Sequence, residues 1–227
     1  MFLFPSSVLR TALIFTGGMP LKIDEVLQRM RASVPEWREA ATGFESAPLA
    51  DSLLGRLPDD YVNLIRVFGA GEGFVGGTYL RLYRLEELAA ANRAYDIAAY
   101  LPDHLLIGSD GCGNAFLLDT ASGGMPVDKI PFIPLDRAFG ETVGKDFLSF
   151  LDALLCPAEN GDGSNLRPNP ETFGLEIHET HPVVLGGDPE DPANKVFLKP
   201  CVHAEAAVYF NRLVRTIRSR SNPEGIS

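Results

Sequence analysis

Residues 106–119 read LIGSDGCGNAFLLD, and this stretch decides the fold. Apolar runs at 105–107 and 115–118 flank a polar turn that contains Gly111 and Gly113. Two half-buried strands around a turn whose glycines can adopt positive φ are typical of a β-hairpin. The turn contains no His or Lys, so we expect it to have a structural role and no catalytic one.

Helices and strands are predicted on both sides of this hairpin. Apolar residues at three- and four-residue spacing indicate helices at 24–31, 57–68, 85–99 and 145–155, and alternation indicates further strands at 74–83 and around 126–132. In the first of these strands, Tyr79, Arg81 and Tyr83 share one face. Helices interspersed with clustered hairpin strands predict an α+β fold with helices packed on one mainly antiparallel sheet.

The composition is that of a folded protein with an acidic surface. The 227 residues are 45% hydrophobic and 22% charged, which suits one domain with an extension. The formal net charge of −10 disfavours non-specific binding to nucleic acid or to an anionic membrane, because both would be repelled. It is compatible with docking onto a basic protein, although composition alone favours a simply solvated surface.

The cysteines and the N-terminus bear on the compartment. The three cysteines form no CxxC pair, which favours free thiols in a reducing cytoplasm. Residues 1–19 are apolar around Arg10 and end at Met19, and we expect a loose tail or a mis-set start codon. An export signal is the alternative, although a basic first region and a cleavage site are missing. No segment is long enough to suggest a membrane span.

A change in composition divides the chain. Residues 157–174 are rich in Pro, Gly and Asn and predict a linker between a domain at 20–156 and an extension at 175–227. The extension is turn-rich and then helical over 203–218. The predicted apolar face of that helix comprises Ala207, Phe210, Val214 and Ile217. Four arginines at 212, 215, 218 and 220 follow; they suit the C-terminus of a helix, and nucleic-acid binding is the alternative.

Several motifs together resemble a known family. LPDDY (57–61), VFGAGEGFVG (67–76), YLRLYRLEEL (79–88), LPDHLLIGSDGCGNAFLLD (101–119) and FLSFLDALL (147–155) occur in the order found in the SUKH superfamily, in its Smi/Knr-type branch. The resemblance implies one α+β domain with helices on a curved antiparallel sheet. The shared residues, which look architectural, are Leu57, Pro58, Tyr61, Gly108, Asp110, Gly111 and Gly113.

The resemblance also implies a class of function. Many bacterial members resemble immunity proteins, which bind a cognate toxin and block it, whereas fungal members resemble regulatory adaptors. Neither catalytic residues nor a cofactor come with the resemblance. We therefore expect a non-enzymatic module in the cytoplasm that binds a toxin, for example a nuclease. The candidate partner-binding side chains are acidic: Asp59, Asp60, Glu72, Glu86, Glu87, Asp103 and Asp110.

A histidine cluster in the extension supplies the alternative function. Residues 177–203 resemble the ββα metal-binding finger of HNH nucleases, with Pro182, a Gly-Gly bend, Asn194 and His203 in order. A divalent metal at His178, His181 and His203 is therefore a candidate, and a metal-dependent nuclease using His178, Glu179, Asn194 and His203 is the alternative function. Glu179 occupies the place of the expected general-base histidine, and a carboxylate beside a cation is a poor base. A structural finger, with or without metal, is the third interpretation.

Overall fold

The computed structural model describes residues 23–33, 37–48, 50–156 and 172–221. The predicted tail at 1–19 and the linker residues 157–171 lie outside the described residues. The helices are α1 (Ile23–Ser33), α2 (Asp51–Leu54), α3 (Asp59–Phe68), α4 (Leu88–Ala94), α5 (Ile97–Tyr100), α6 (Phe147–Leu155) and α7 (Pro200–Ser221). The strands are β1 (Gly71–Val75), β2 (Thr78–Leu82), β3 (His104–Ser109), β4 (Asn114–Asp119), β5 (Val127–Pro131), β6 (Glu141–Gly144), β7 (Glu176–Glu179) and β8 (Lys195–Leu198).

The first six strands form one antiparallel sheet in chain order, from β1 to β6. This arrangement confirms the predicted α+β class and the hairpin at 106–119, which is the β3–β4 pair. A β-bulge interrupts that pair between Leu106 and Gly108. Gly108 is required there, because a Cβ atom at this position would lie 2.0 Å from the carbonyl oxygen of Arg81 on β2.

Both faces of the sheet are covered. Helices α1, α3 and α6 pack together on one face, where the ring of Phe150 on α6 contacts Phe116 on β4. The opposite face carries Arg81 and Phe132, and it is covered by α4, α7 and the short β7–β8 sheet. Because directly paired residues of adjacent strands share a face, Arg81 and Ser109 point to the same side. This second face positions the candidate site.

Two predicted elements differ from the structure, and one strand of the sheet was not predicted. The single strand predicted at 74–83 is a hairpin, β1–β2, that turns at Gly76, whose φ is +62°. The helix predicted at 85–99 is broken at Asp96, which adopts a left-handed φ of +56° between α4 and α5. Strand β6 was not predicted.

The extension forms a ββα unit, β7–β8–α7. Ala207 and Val214 of α7 are buried, as the predicted face requires, and Phe210 is partly exposed. Ile217 is 44% exposed, so its assignment to the buried face is wrong. In the described ranges, no helix combines the length and the apolar character that crossing a membrane requires.

Candidate functional site

A layer of buried polar side chains joins the sheet to the extension. Arg81, in the middle of β2, donates from Nε to the carboxylate of Glu72 at 2.7 Å, and Glu72 is its direct neighbour on β1. The Arg81 guanidinium also forms an ion pair with Glu176 of β7 and donates to the carbonyl of Leu175 at 3.1 Å. One cation thus binds two carboxylates from different parts of the chain.

Glu176 is the member of this layer that the extension supplies. Its side chain is fully buried and also accepts a hydrogen bond of 2.5 Å from the Ser109 hydroxyl on β3. Burial raises the pKa of Glu176 above its ordinary value, although the charge of Arg81 and the Ser109 hydrogen bond oppose this. A buried carboxylate held by these donors fixes β7 on the sheet, because removing either partner leaves a charge without compensation.

The glycine turn of the β3–β4 hairpin is a second contact with the extension. Asp110 organises the turn by accepting hydrogen bonds from the backbone of Cys112 at 2.8 Å and of Asn114 at 3.0 Å. The carbonyl of Gly111, which has a φ of +67°, accepts a hydrogen bond of 3.0 Å from Ile177 of β7. The turn therefore supports the extension and is not an exposed loop free of contacts.

The structure brings two of the three candidate metal ligands together. His178 of β7 and His203 of α7 are buried, with ring centroids 5.3 Å apart. His203 Nδ1 lies 2.9 Å from the Tyr95 hydroxyl. His181 is exposed, and its Nε2 lies 2.9 Å from the carbonyl oxygen of Leu185. A metal at all three histidines remains a prediction that requires the His181 side chain to leave this carbonyl.

The electrostatics of the histidine pair favour neutral rings. Burial is the main cause that lowers the pKa of His203, to about 3, and the nearby His178 and Arg81 lower it further. Burial likewise lowers the pKa of His178, against the raising effect of Glu179. Neutral imidazoles are the form that binds metal, but they are equally the form that packs in a core.

A cavity of about 570 Å³ opens beside this pair. His178, His203, Tyr79 and the two lysines Lys129 and Lys195 line part of it. Its wall combines acidic, basic and aromatic side chains, so it has no uniform charge that would select one class of ligand.

Asn194 has a structural role at this site. Its side-chain oxygen accepts a hydrogen bond of 2.7 Å from the backbone N–H of His181. Its side-chain amide donates a hydrogen bond of 2.9 Å to the His181 carbonyl. Glu179 accepts a hydrogen bond of 3.0 Å from the backbone of Val183. Both side chains thus hold the loop between β7 and β8 in shape, in agreement with a structural finger.

A different trio meets the spacing that a metal ion needs. His104, Asp119 and Asp128 place one ligand atom each within 4.8 Å of one another, the one such group among the residues whose placement is described. Arg137 Nε, however, lies 2.9 Å from Asp128, and His104 Nε2 lies 3.1 Å from the same carboxylate oxygen. The guanidinium already supplies the positive charge, so the trio is satisfied without a cation.

Comparison with known proteins assigns the part of the chain that forms the six-stranded sheet. Residues 49–153 match the model of the SMI1 / KNR4 family (SUKH-1). The chain contains a SUKH-1 domain. The match includes the whole six-stranded sheet, α3 and all but the last two residues of α6. It ends before the ββα unit, so it does not support the HNH-like likeness of the extension. A search of curated proteins finds no match.

Three of the predicted partner-binding residues are buried inside the SUKH-1 domain. Glu72 pairs with Arg81, and Glu87 accepts a hydrogen bond of 2.9 Å from Thr42. Asp110 binds the backbone of its own turn and forms an ion pair of 3.0 Å with Lys129. These three carboxylates stabilise the fold, and their burial removes them from any docking surface.

The other four predicted residues remain accessible. Asp59, Glu86 and Asp103 are exposed, and Asp60 is partly exposed. Burial raises the pKa of Asp60, with a further contribution from the negative charges of Asp146 and Asp59. This repulsion between carboxylates indicates that the N-termini of α3 and α6 place several of them close together.

The strand register extends this acidic region. β3 begins where β4 ends, at the pair His104–Asp119, and β5 begins opposite the last residue of β6. Several carboxylates lie at this end of the sheet, which we name the acidic end: Asp59, Asp60, Asp103, Asp119 and Asp146. The basic Arg56 lies beside it and donates a hydrogen bond of 2.9 Å to the Thr120 hydroxyl. The ββα unit contacts the opposite end, at Gly111.

Sequence reasoning missed Arg81, Glu176 and Ser109 as a site. One signal was present, since Arg81 is a charged residue in the middle of an otherwise apolar and aromatic strand. An arginine on an interior strand requires a buried partner. Nothing in the sequence identifies which of the acidic residues supplies it.

Proposed function

We propose that the protein is a cytoplasmic immunity protein that neutralises a cognate bacterial toxin by direct binding and not by catalysis. The SUKH-1 match over residues 49–153 carries the proposal, because immunity-type binding modules are characteristic of this family. The site geometry supports it, since Arg81 is engaged by Glu72 and Glu176 in a buried ion-pair layer that holds the fold together.

The proposed docking surface is the acidic end. Its carboxylates sit at the termini of helices and strands, at the end of the sheet away from the contact of Gly111 with the extension. Although burial raises the pKa of Asp119, hydrogen bonds from Ser122 and the backbone of Ala121 lower it below its ordinary value, which favours the charged carboxylate. A basic toxin, such as a nuclease with a cationic groove, would be attracted to the acidic end, which would cover the groove.

The test is binding to the product of the neighbouring toxin gene, followed by rescue of growth when both are expressed. Asp59→Asn combined with Asp60→Asn is expected to slow association by about tenfold at low salt, and to do so less at high salt. The matched control removes two exposed carboxylates elsewhere, Glu25→Gln with Glu190→Gln, and should bind as the wild type does. Failure to bind the toxin would contradict the proposed function. Equal effects of the two pairs of substitutions would contradict the acidic end as the docking surface.

A housekeeping adaptor without a toxin partner is the alternative that this experiment separates. In that case the neighbouring gene product does not bind, and co-expression does not restore growth.

A further inference from the structure

Helix α7 carries a second apolar face that the described residues leave exposed. The face that contacts the rest of the chain holds His203, Ala204, Ala207, Asn211 and Val214, which are buried. Beside it runs a stripe spaced by three or four residues along the same helix: Val202, Ala206, Tyr209, Leu213 and Ile217. We name this the α7 stripe.

The α7 stripe is accessible along its length. Val202 is 45% exposed, Tyr209 is 64% exposed and Ile217 is 44% exposed, and the two residues between them are partly exposed. At 100° per residue the five side chains cover a narrow sector of the helix, and at 1.5 Å per residue they extend over about 22 Å. Apolar side chains repeated in this way form the seam of paired helices.

Two charged side chains flank the stripe on one side. Glu205 precedes Ala206, and Arg212 precedes Leu213, so the two charges are seven residues apart on the same edge of the seam. In an antiparallel pair of helices, equivalent edges face each other. Glu205 of one copy would then lie opposite Arg212 of a second copy, and the same pair forms again by the two-fold symmetry.

This charge pattern identifies the occupant of the stripe. A self-complementary edge fits another copy of the same helix, whereas a toxin would need no opposite charges seven residues apart. Arg212 is available, because its side chain is 71% exposed and its ion pair with Asp96 is long, at 3.8 Å. We infer that two copies of this chain associate through an antiparallel pairing of their α7 stripes. This inference does not depend on the proposed function, because it is tested without any partner.

The test measures the oligomeric state of the full-length chain by sedimentation or light scattering. We expect the wild type to have twice the chain mass of 24.7 kDa and Tyr209→Glu to have the mass of one chain. Val67→Glu, at a residue of α3 that is 57% exposed, is the matched control and should remain a dimer. A wild type that stays monomeric up to its solubility limit, or a dimer that survives Tyr209→Glu, would overturn the inference.

Charge exchange tests the antiparallel register. Glu205→Arg and Arg212→Glu should each raise the dimer Kd by about tenfold, because like charges then meet at both ends of the seam. Mixing the two variants should restore association, since each then meets the opposite charge in the other. Circular dichroism checks that the helix is retained. If the mixture is no tighter than the separate variants, the antiparallel pairing is wrong.

Discussion

Arg81 of β2 and Glu176 of β7 form an ion pair in which both side chains have no exposed surface. The two residues are 95 positions apart and belong to different units, the SUKH-1 domain and the ββα extension. Ser109 and Glu72 complete the layer from neighbouring strands. The pair therefore makes the extension part of the folded core, and it ties the stability of β7 to that of the sheet.

Removing the carboxylate of Glu176 should weaken this attachment. Glu176→Ala leaves Arg81 with the Glu72 carboxylate and the Leu175 carbonyl, and it deprives Ser109 of its acceptor. We therefore expect the free energy of unfolding to fall by about 3 kcal/mol. Urea denaturation followed by circular dichroism measures the change. The matched control is Glu190→Ala, at an exposed residue of the same extension, which should leave the midpoint unchanged. Equal midpoints for the two variants would refute the role assigned to the ion pair.

The bulge in the β3–β4 hairpin gives a test of backbone packing. In Gly108→Ala, the new methyl group would collide with the carbonyl oxygen of Arg81, 2.0 Å from the ideal Cβ position. The strands must separate, and we expect a loss of about 2 kcal/mol of stability. Gly123→Ala is the control, because no atom lies within 4 Å of its Cβ position. Thermal denaturation compares the two, and a Gly108→Ala protein as stable as the control would contradict the packing argument.

Local patterns predicted much of the sheet and of the helices that cover it. The hairpin at 106–119 was clear because both strands are apolar and the turn holds two glycines. The β1–β2 hairpin was missed although its two-residue turn, Gly76–Gly77, is a strong turn signal. The apolar and aromatic residues on both sides made the segment resemble one continuous strand.

The tertiary part of the site could not be predicted in the same way. Periodicity places Arg81 between two tyrosines on one face, but it does not identify a partner 95 residues away. Ile217 is a second example. Its spacing places it with the apolar residues of α7, but spacing does not decide which of two adjacent faces of the helix contacts the core. The histidines were more informative, since their spacing predicted a shared site, and the rings of His178 and His203 lie with their centroids 5.3 Å apart.

The buried His203 predicts a loss of stability in acid. Its pKa of about 3 in the folded protein lies below the ordinary 6.5, mainly through burial, so the unfolded chain binds the proton more readily. Stability is therefore fully present above about pH 6.5 and declines as the pH falls toward 3. We expect His203 alone to contribute about 1.4 kcal/mol of loss between pH 7.5 and 5.5.

Urea midpoints across this range test the assignment. His203→Gln should have a shallower dependence on pH than the wild type, whereas the exposed His181→Gln should keep the wild-type slope. Glu176 acts in the opposite sense, since its raised pKa stabilises the folded protein as the pH falls, so only the difference between variant and wild type isolates His203. Parallel curves for His203→Gln and wild type would show that His203 does not control the slope.

The extension should not cleave DNA. In the nuclease alternative Glu179 would have to act as the base, but its carboxylate accepts a hydrogen bond from the backbone of Val183, and a nearby cation would make it less basic still. His203 is buried against the Tyr95 hydroxyl. Incubation of supercoiled plasmid with the protein and Mg²⁺, Mn²⁺ or Zn²⁺ should leave the plasmid intact. Metal-dependent cleavage that His203→Ala abolishes and His181→Ala retains would instead establish the extension as an enzyme.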